Sequence, residues 1–191
     1  MKYTIGNKYV KHLHVSRLHV MAILLCGLLS VIGCHNDVVE EQNLIPVGSH
    51  VPSFEVKMND GRIFSSDSLS ASTTVIVFFS TTCPDCRQEL PIVDALHSSL
   101  LNNEAAVDFV CISRAQAEAD VAAYWQEQGL TLPYSAQENK RIFSLFARSR
   151  IPRIYIVDAE GIVHYVHDDN PLPDFDTLEE EVRATTNYDK K

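Results

Sequence analysis

TTVIVFFSTTCPDCRQELP, residues 73–91, joins an unbroken β-branched and aromatic run to two closely spaced cysteines and then to a charged, leucine-bearing stretch. The run from Thr73 to Ser80 has the composition of a strand buried on both faces, which puts it at the centre of a sheet. After the cysteines, Leu90, Val93, Leu96, Leu100 and Leu101 recur at helical spacing, and Pro91 is expected to kink that helix early. Three chemistries use a C-x-x-C pair at such a join: a redox couple, half of a metal site, or a structural clip.

Outward from this unit the pattern continues. VDFVCIS, 107–113, reads as a second buried strand, and residues 119–129 and 138–149 read as helices, the first closed by Gly129. RIYIVDAEGIVHYVHD, 153–168, gives two strands about a short turn, and residues 175–184 a final helix. Upstream, FEVKMNDGRIFS, 54–65, reads as a hairpin about Asn59-Asp60-Gly61. The expected fold is α/β, a central mixed β-sheet flanked by helices on both faces, with an N-terminal β-hairpin extension. With 191 residues, 46% hydrophobic and 21% charged, the chain suffices for one domain with a real core.

The first residues differ from the rest. They carry Lys2, Lys8, Lys11 and Arg17 without an acid, then the apolar stretch Val20 to Gly33, short for a membrane span and right for a signal peptide. Val31-Ile32-Gly33-Cys34 resembles the bacterial lipobox, which implies lipidation of Cys34 and anchoring to a membrane; an uncleaved anchor helix is the alternative. The expected organisation is a lipoprotein signal peptide over 1–33, a flexible tether over 34–46, a domain over 47–186 and a tail over 187–191. Without the leader, 12 basic against 25 acidic residues give a formal charge of −13, which excludes nucleic acid as a natural partner.

Of the five cysteines, Cys26 leaves with the leader and Cys34 is the lipid site, so the domain keeps Cys83, Cys86 and Cys111. Outside the cytoplasm a Cys83–Cys86 disulfide is permitted, but so short a loop restrains little of the unfolded chain. Redox chemistry explains the pair better than a clip does. A closed zinc site needs further ligands, no second C-x-x-C exists, and His97, His164 and His167 lack ligand spacing, so no metal is expected. The only cofactor expected is the Cys83–Cys86 disulfide itself. Placed at the end of the central strand, Cys83 would meet the positive end of the helix, which favours its thiolate. Pro84 suits the first helical turn, while the charge of Asp85 opposes the thiolate. Cys86, inside the helix, would resolve the mixed disulfide. Cys111 reads as a packed strand residue.

VGSHVPSF, the hairpin, VIVFFSTTCPDCRQELP, VCISR and RIPRIYIVDAEG together resemble the TlpA/ResA type of thiol-disulfide oxidoreductases in the thioredoxin superfamily. The resemblance spans about Val47 to Asp168 and implies a thioredoxin fold. It makes Pro152, after Ile151, a cis-proline facing the cysteines, so that Thr82, Pro84, Asp85, Ile151, Pro152 and Arg153 line the substrate groove. It also makes Glu89 a carboxyl that tunes the site and assists proton movement. Departures from thioredoxin are Thr82 in place of tryptophan and Val77 in place of a buried aspartate. Arg153 stands where a small polar residue is frequent; it favours acidic partners or a nearby thiolate, or is simply solvated. The resemblance implies an enzyme of the bacterial cell envelope facing the periplasm or exterior, reducing disulfides of exported proteins or peptides and re-reduced by a membrane thiol donor. The alternatives are a peroxiredoxin-type thiol peroxidase, whose pattern asks for Pro and Thr where Ile76 and Ser80 stand, a non-catalytic thioredoxin-like binding module, and a metal-binding C-x-x-C.

Overall fold

The computed structural model describes residues 43–102 and 106–188, so the leader, Cys34 and the first part of the expected tether lie outside the described residues. Strands β1 (Glu55–Lys57) and β2 (Ile63–Ser65) form the antiparallel hairpin. Gly61 turns it with φ at 89°, a left-handed value that a Cβ would disfavour. The central run becomes β3 (Thr73–Phe79), every residue of it buried. Helix α1 (Pro84–Asn102), strand β4 (Val107–Ser113), helix α2 (Glu118–Gln128) and the short strand β5 (Tyr134–Ser135) follow. The chain then returns through a single helical turn, α3 (Phe143–Phe146), to β6 (Arg153–Asp158), β7 (Val163–His167) and α4 (Phe175–Tyr188).

The main sheet has the order β5-β4-β3-β6-β7, with β3 parallel to β4 and antiparallel to β6. From β3 to β4 and from β4 to β5 the chain moves the same way across the sheet, so right-handed crossovers put α1 and α2 on one face. Side-chain alternation agrees. Phe79 stacks on Trp125 of α2, whereas its neighbour Phe78 points the other way, onto Phe143 and Phe146 of α3. Leu90, Val93, Leu96 and Leu100 of α1 are buried, each contributing roughly 1.5–3 kcal/mol by leaving water. Leu101, counted in the same stripe on sequence, is 59% exposed, because two successive helical residues cannot share a face. The helix runs through Pro91 without a break.

Four sequence expectations need correction. The central strand stops at Phe79 rather than at Cys83, and residues 80–83 form a turn. The helix expected over 138–149 shrinks to α3. Asn139 accepts the Arg141 N–H at 2.8 Å, closing an Asx turn that competes with helix, and Ala147 is extended to bridge Asn43. Residues 43–46, assigned to the tether, are pinned: the Leu44 N–H donates to the Phe146 carbonyl at 2.8 Å. Finally α4 continues to Tyr188, past the expected domain end at 186.

Long-range polar contacts fasten the edges. Arg62 of the hairpin turn grips Asp108 of β4 through two hydrogen bonds of 2.7 and 2.8 Å. Asn59 binds the β5 backbone on both sides, donating its N–H to the Tyr134 carbonyl at 2.7 Å and accepting the Tyr134 N–H at 2.8 Å. At the other edge, Gly48 donates to the Val163 carbonyl at 2.8 Å, and Val163 donates back to Ser49 at 2.9 Å. Asp94 of α1 holds the loop after α2, accepting both N–H groups of Thr131 and Leu132 and the Thr131 hydroxyl. Asp94→Ala is expected to lower stability by about 1–2 kcal/mol, because three donors lose one acceptor at a half-wet site. Chemical denaturation checks it, and an unchanged midpoint would mean that water replaces the carboxylate.

Candidate active site

The turn between β3 and α1 is built from side chains of its own and of the facing loop. Cys83 donates its N–H to the Ser80 carbonyl at 3.1 Å, and its own carbonyl accepts the Arg87 N–H at 3.1 Å. Cys83 is therefore the last residue before the helix, next to the N–H groups of the first turn, which have no partner within the helix. Pro84 opens the helix, where its missing N–H costs nothing. Ser80 and Thr82 share a hydrogen bond between hydroxyls at 3.0 Å. Two residues before Cys83, Thr81 is clamped by Gln116. Its N–H donates to the Gln116 amide oxygen at 2.8 Å, and the Gln116 amide nitrogen donates to its hydroxyl at 2.7 Å.

Facing this turn is the loop before β6, where the Ile151–Pro152 peptide is cis. The Cys83 thiol donates to the Ile151 carbonyl at 3.4 Å, which brings together Cys83, Ile151 and Pro152, distant in sequence. Cys83 is half-buried, Thr82 and Pro84 are exposed, and Asp85 is half-buried beside them. Cys86 is at 0% exposure, and burial pushes its thiol well up; the nearby Cys83 adds to this, while the Ser80 backbone and the Arg114 charge oppose it. The two sulfurs thus differ sharply in access. One is presented at the surface and the other is held behind it.

Glu89 lies three residues after Cys86, so their Cβ atoms share a helix face about 5–6 Å apart. It is at 0% exposure, and neither carboxylate oxygen has a hydrogen-bond partner among the described residues. Burial pushes its pKa up to about 7, with a further push from the charge of Asp174. Such a group changes protonation near neutral pH, where a proton carrier is useful.

Of the two readings of Arg153, burial goes against the solvated one. This residue is 2% exposed, donates to the Ser149 carbonyl at 3.3 Å and lies 3.8 Å from Asp168, because its strand position turns it inward beside Tyr155 and Phe78. Cys111 is buried in β4, and burial raises its thiol pKa. His164 and His167 face separate carboxylates, Asp158 at 2.7 Å and Glu181 at 2.6 Å. Among the described residues no three of His, Cys, Asp or Glu converge as a metal site. Sequence reasoning missed Gln116, Arg114 and Asp174. Their roles come from packing across loops, and only Arg114, inside the quoted VCISR, carried any signal.

A cysteine pair at a strand-to-helix turn opposite a cis-proline, on a sheet of this order, defines the thioredoxin-like class of fold. Residues 47–166 match the model of the AhpC/TSA family, and the chain belongs to that family. It is similar to the thioredoxin-like protein YneN of Bacillus subtilis (strain 168), with 27% identity over 64% of this chain and 72% of the relative. It is also similar to the thiol-disulfide oxidoreductase ResA of Geobacillus thermodenitrificans (strain NG80-2), at 21% identity over 77% of this chain and 84% of that one. Among solved structures, a thiol:disulfide interchange protein of the thioredoxin family from Chlorobium tepidum TLS superposes with a TM-score of 0.62 at 24% identity, covering 74% of this chain and 98% of that chain. The TlpA/ResA resemblance, the thioredoxin fold and the hairpin extension read from the sequence all stand.

Proposed function

We propose that the chain is a thiol-disulfide oxidoreductase of the cell envelope that reduces disulfides in exported proteins. The observation that carries this reading is the asymmetry of the pair. Cys83 is accessible beside Ile151 and Pro152, and Cys86 is buried behind it. The names of the ResA relatives and the family membership support the reaction class.

In the first step the Cys83 thiolate attacks one sulfur of a substrate disulfide, forming a Cys83–substrate bond and expelling the other substrate sulfur as thiolate. Cys86 then loses its proton and attacks the Cys83 sulfur. The Cys83–Cys86 bond forms, the second substrate thiolate leaves, and the substrate has gained two electrons. Glu89, ionised above about pH 7, is the acceptor placed for the Cys86 proton. Thr82, Pro84, Asp85, Ile151 and Pro152 form the rim that the substrate meets. A membrane thiol donor restores the dithiol, and lipid on Cys34 holds the domain to the bacterial membrane, facing the periplasm or exterior. The peroxidase alternative is weaker because Ile76 and Ser80 occupy positions where its pattern needs Pro and Thr.

A redox titration of the full chain in detergent, quenched with an alkylating reagent and read by mass, tests the reading. A reversible two-electron transition near about −250 mV or lower is expected, and it should vanish in Cys83→Ser. A midpoint near about −120 mV would overturn the reductive direction. No transition at all would overturn the oxidoreductase reading itself.

A further inference from the structure

Residues 139–153 carry five of the twelve basic residues that follow the leader and none of the acids. Two of the five are spent, since Arg153 is buried and Arg150 pairs with Asp169 at 2.8 Å. Lys140, Arg141 and Arg148 are exposed and form no ion pair with a described residue. They share one side of the segment around α3. Ile142, Phe143, Phe146 and Ala147 are buried, while Lys140, Arg141, Ser144, Leu145 and Arg148 are exposed, so the chain turns to solvent a face of cations about a leucine. The Ser144 N–H donates to the Lys140 carbonyl at 2.8 Å, which fixes Lys140 one turn before Ser144. Arg114 adds a cation at the margin, its guanidinium 5.1 Å from the centre of the Phe143 ring.

Exposed cations gathered on one side of an otherwise acidic chain ask for an anionic partner. Leu145 among them is 38% exposed, and beside it Leu44, 36% exposed, is held by its N–H to the Phe146 carbonyl at 2.8 Å. Cations around apolar side chains suit a surface that is anionic outside and hydrocarbon within, as a phospholipid bilayer is. An acidic protein would meet the cations and leave the leucines unmatched. Position favours the bilayer too. Asn43 bridges Ala147, and nine residues before Asn43 stands Cys34, at the end of the apolar stretch 20–33. Nine residues fully extended reach about 30 Å, so an anchor at Cys34 keeps α3 within that distance of the membrane. The acidic remainder of the domain is repelled by the same headgroups and faces away.

We propose that the face formed by Lys140, Arg141, Leu145 and Arg148, with Leu44 beside it, seats the domain on a bilayer of anionic phospholipid. This rests on the envelope location proposed above. Ile151 lies three residues beyond Arg148, and its carbonyl accepts the Cys83 thiol at 3.4 Å, so the seated domain holds its reactive cysteine near the bilayer, where a membrane thiol donor meets it.

The test uses the full chain reconstituted in phosphatidylcholine vesicles, with and without phosphatidylglycerol, and acetylation by an uncharged N-hydroxysuccinimide ester read by mass. Lys57, exposed on the hairpin, is the internal reference. Adding phosphatidylglycerol should lower the rate at Lys140 relative to Lys57 about fivefold, the effect of one cation at an anionic surface. Salt at about 1 M, where screening acts within about 3 Å, should restore the wild-type ratio. The double variant Arg141→Glu, Arg148→Glu should never lose it, with melting temperature checking the fold. A ratio unchanged within about twofold would overturn the surface, and so would a fall that salt and the variant leave in place. Protection of Lys140 by poly-glutamate but not by phosphatidylglycerol would overturn the bilayer in favour of an acidic protein. If the chain fails to sediment with neutral vesicles, the anchoring reading fails instead, and sedimentation with phosphatidylglycerol vesicles decides the surface. Wild-type binding that the double variant loses supports it; no binding, or equal binding by both, refutes it.

Discussion

Cys86→Ser protein is expected to stop after half a cycle, accumulating a mixed disulfide between Cys83 and its substrate. Attack by Cys83 does not need Cys86, whereas release does. The second sulfur acts from within the same molecule, and the advantage of a positioned intramolecular group over a dissolved one is large. Steady-state turnover should therefore fall by roughly 10³-fold or more when the resolving thiol is removed, with free thiol in solution only partly replacing it. Mass spectrometry of the intact chain should find the substrate adduct on Cys83. Turnover near the wild-type rate would show that release uses another thiol or a solution reductant, and the burial of Cys86 would then need a different explanation.

Glu89→Gln is expected to stabilise the fold at high pH and to flatten the pH dependence of the second chemical step. The folded-state pKa of about 7 lies above the ordinary value of 4.5. Below about pH 4.5 both folded and unfolded chains hold the proton, and the group has little effect on stability. As pH rises from 4.5 to 7 the unfolded chain ionises while the folded one does not, so stability falls; above 7 the whole difference is lost. That difference is 7 minus 4.5, or 2.5 units, worth about 3 kcal/mol at pH 8. The neutral amide carries no such penalty, so the variant should gain up to about that amount at pH 8 and nothing at pH 4, read by denaturant titration at both values. The rate of disulfide closure, which in the wild type should rise through an inflection near pH 7, should lose it. Equal stability changes at both pH values would exclude ionisation as the cause.

The legibility of this chain in its sequence follows the range of the forces involved. The β3–α1 unit was readable because a doubly buried strand and an amphipathic helix write their periods locally, and the cysteine pair sits at the start of the helix, Cys83 just before it and Cys86 in its first turn. Gly61 and Gly129 were readable for the same reason, each at a turn or cap requiring left-handed backbone. The place of Pro152 opposite Cys83 came only through resemblance, since nothing local brings together residues so far apart. Arg153 shows the limit. An arginine by type belongs in water, and only the pairing of β6 with β3, Arg153 opposite Phe78, turns it inward. The helix expected over 138–149 failed where Asn139 turned the backbone before Phe143, and β5 is too short to show a period.

The N-terminal segment has a consequence for neighbouring molecules. An open sheet offers unpaired backbone groups along its outer strands, a template onto which another copy can add. Here the hairpin engages β5 through Asn59, and residues 48–51 occupy the start of β7. The segment before β3 thus covers the short edge strand β5 and the first residue of β7, which shortens the open backbone that a second copy could pair with.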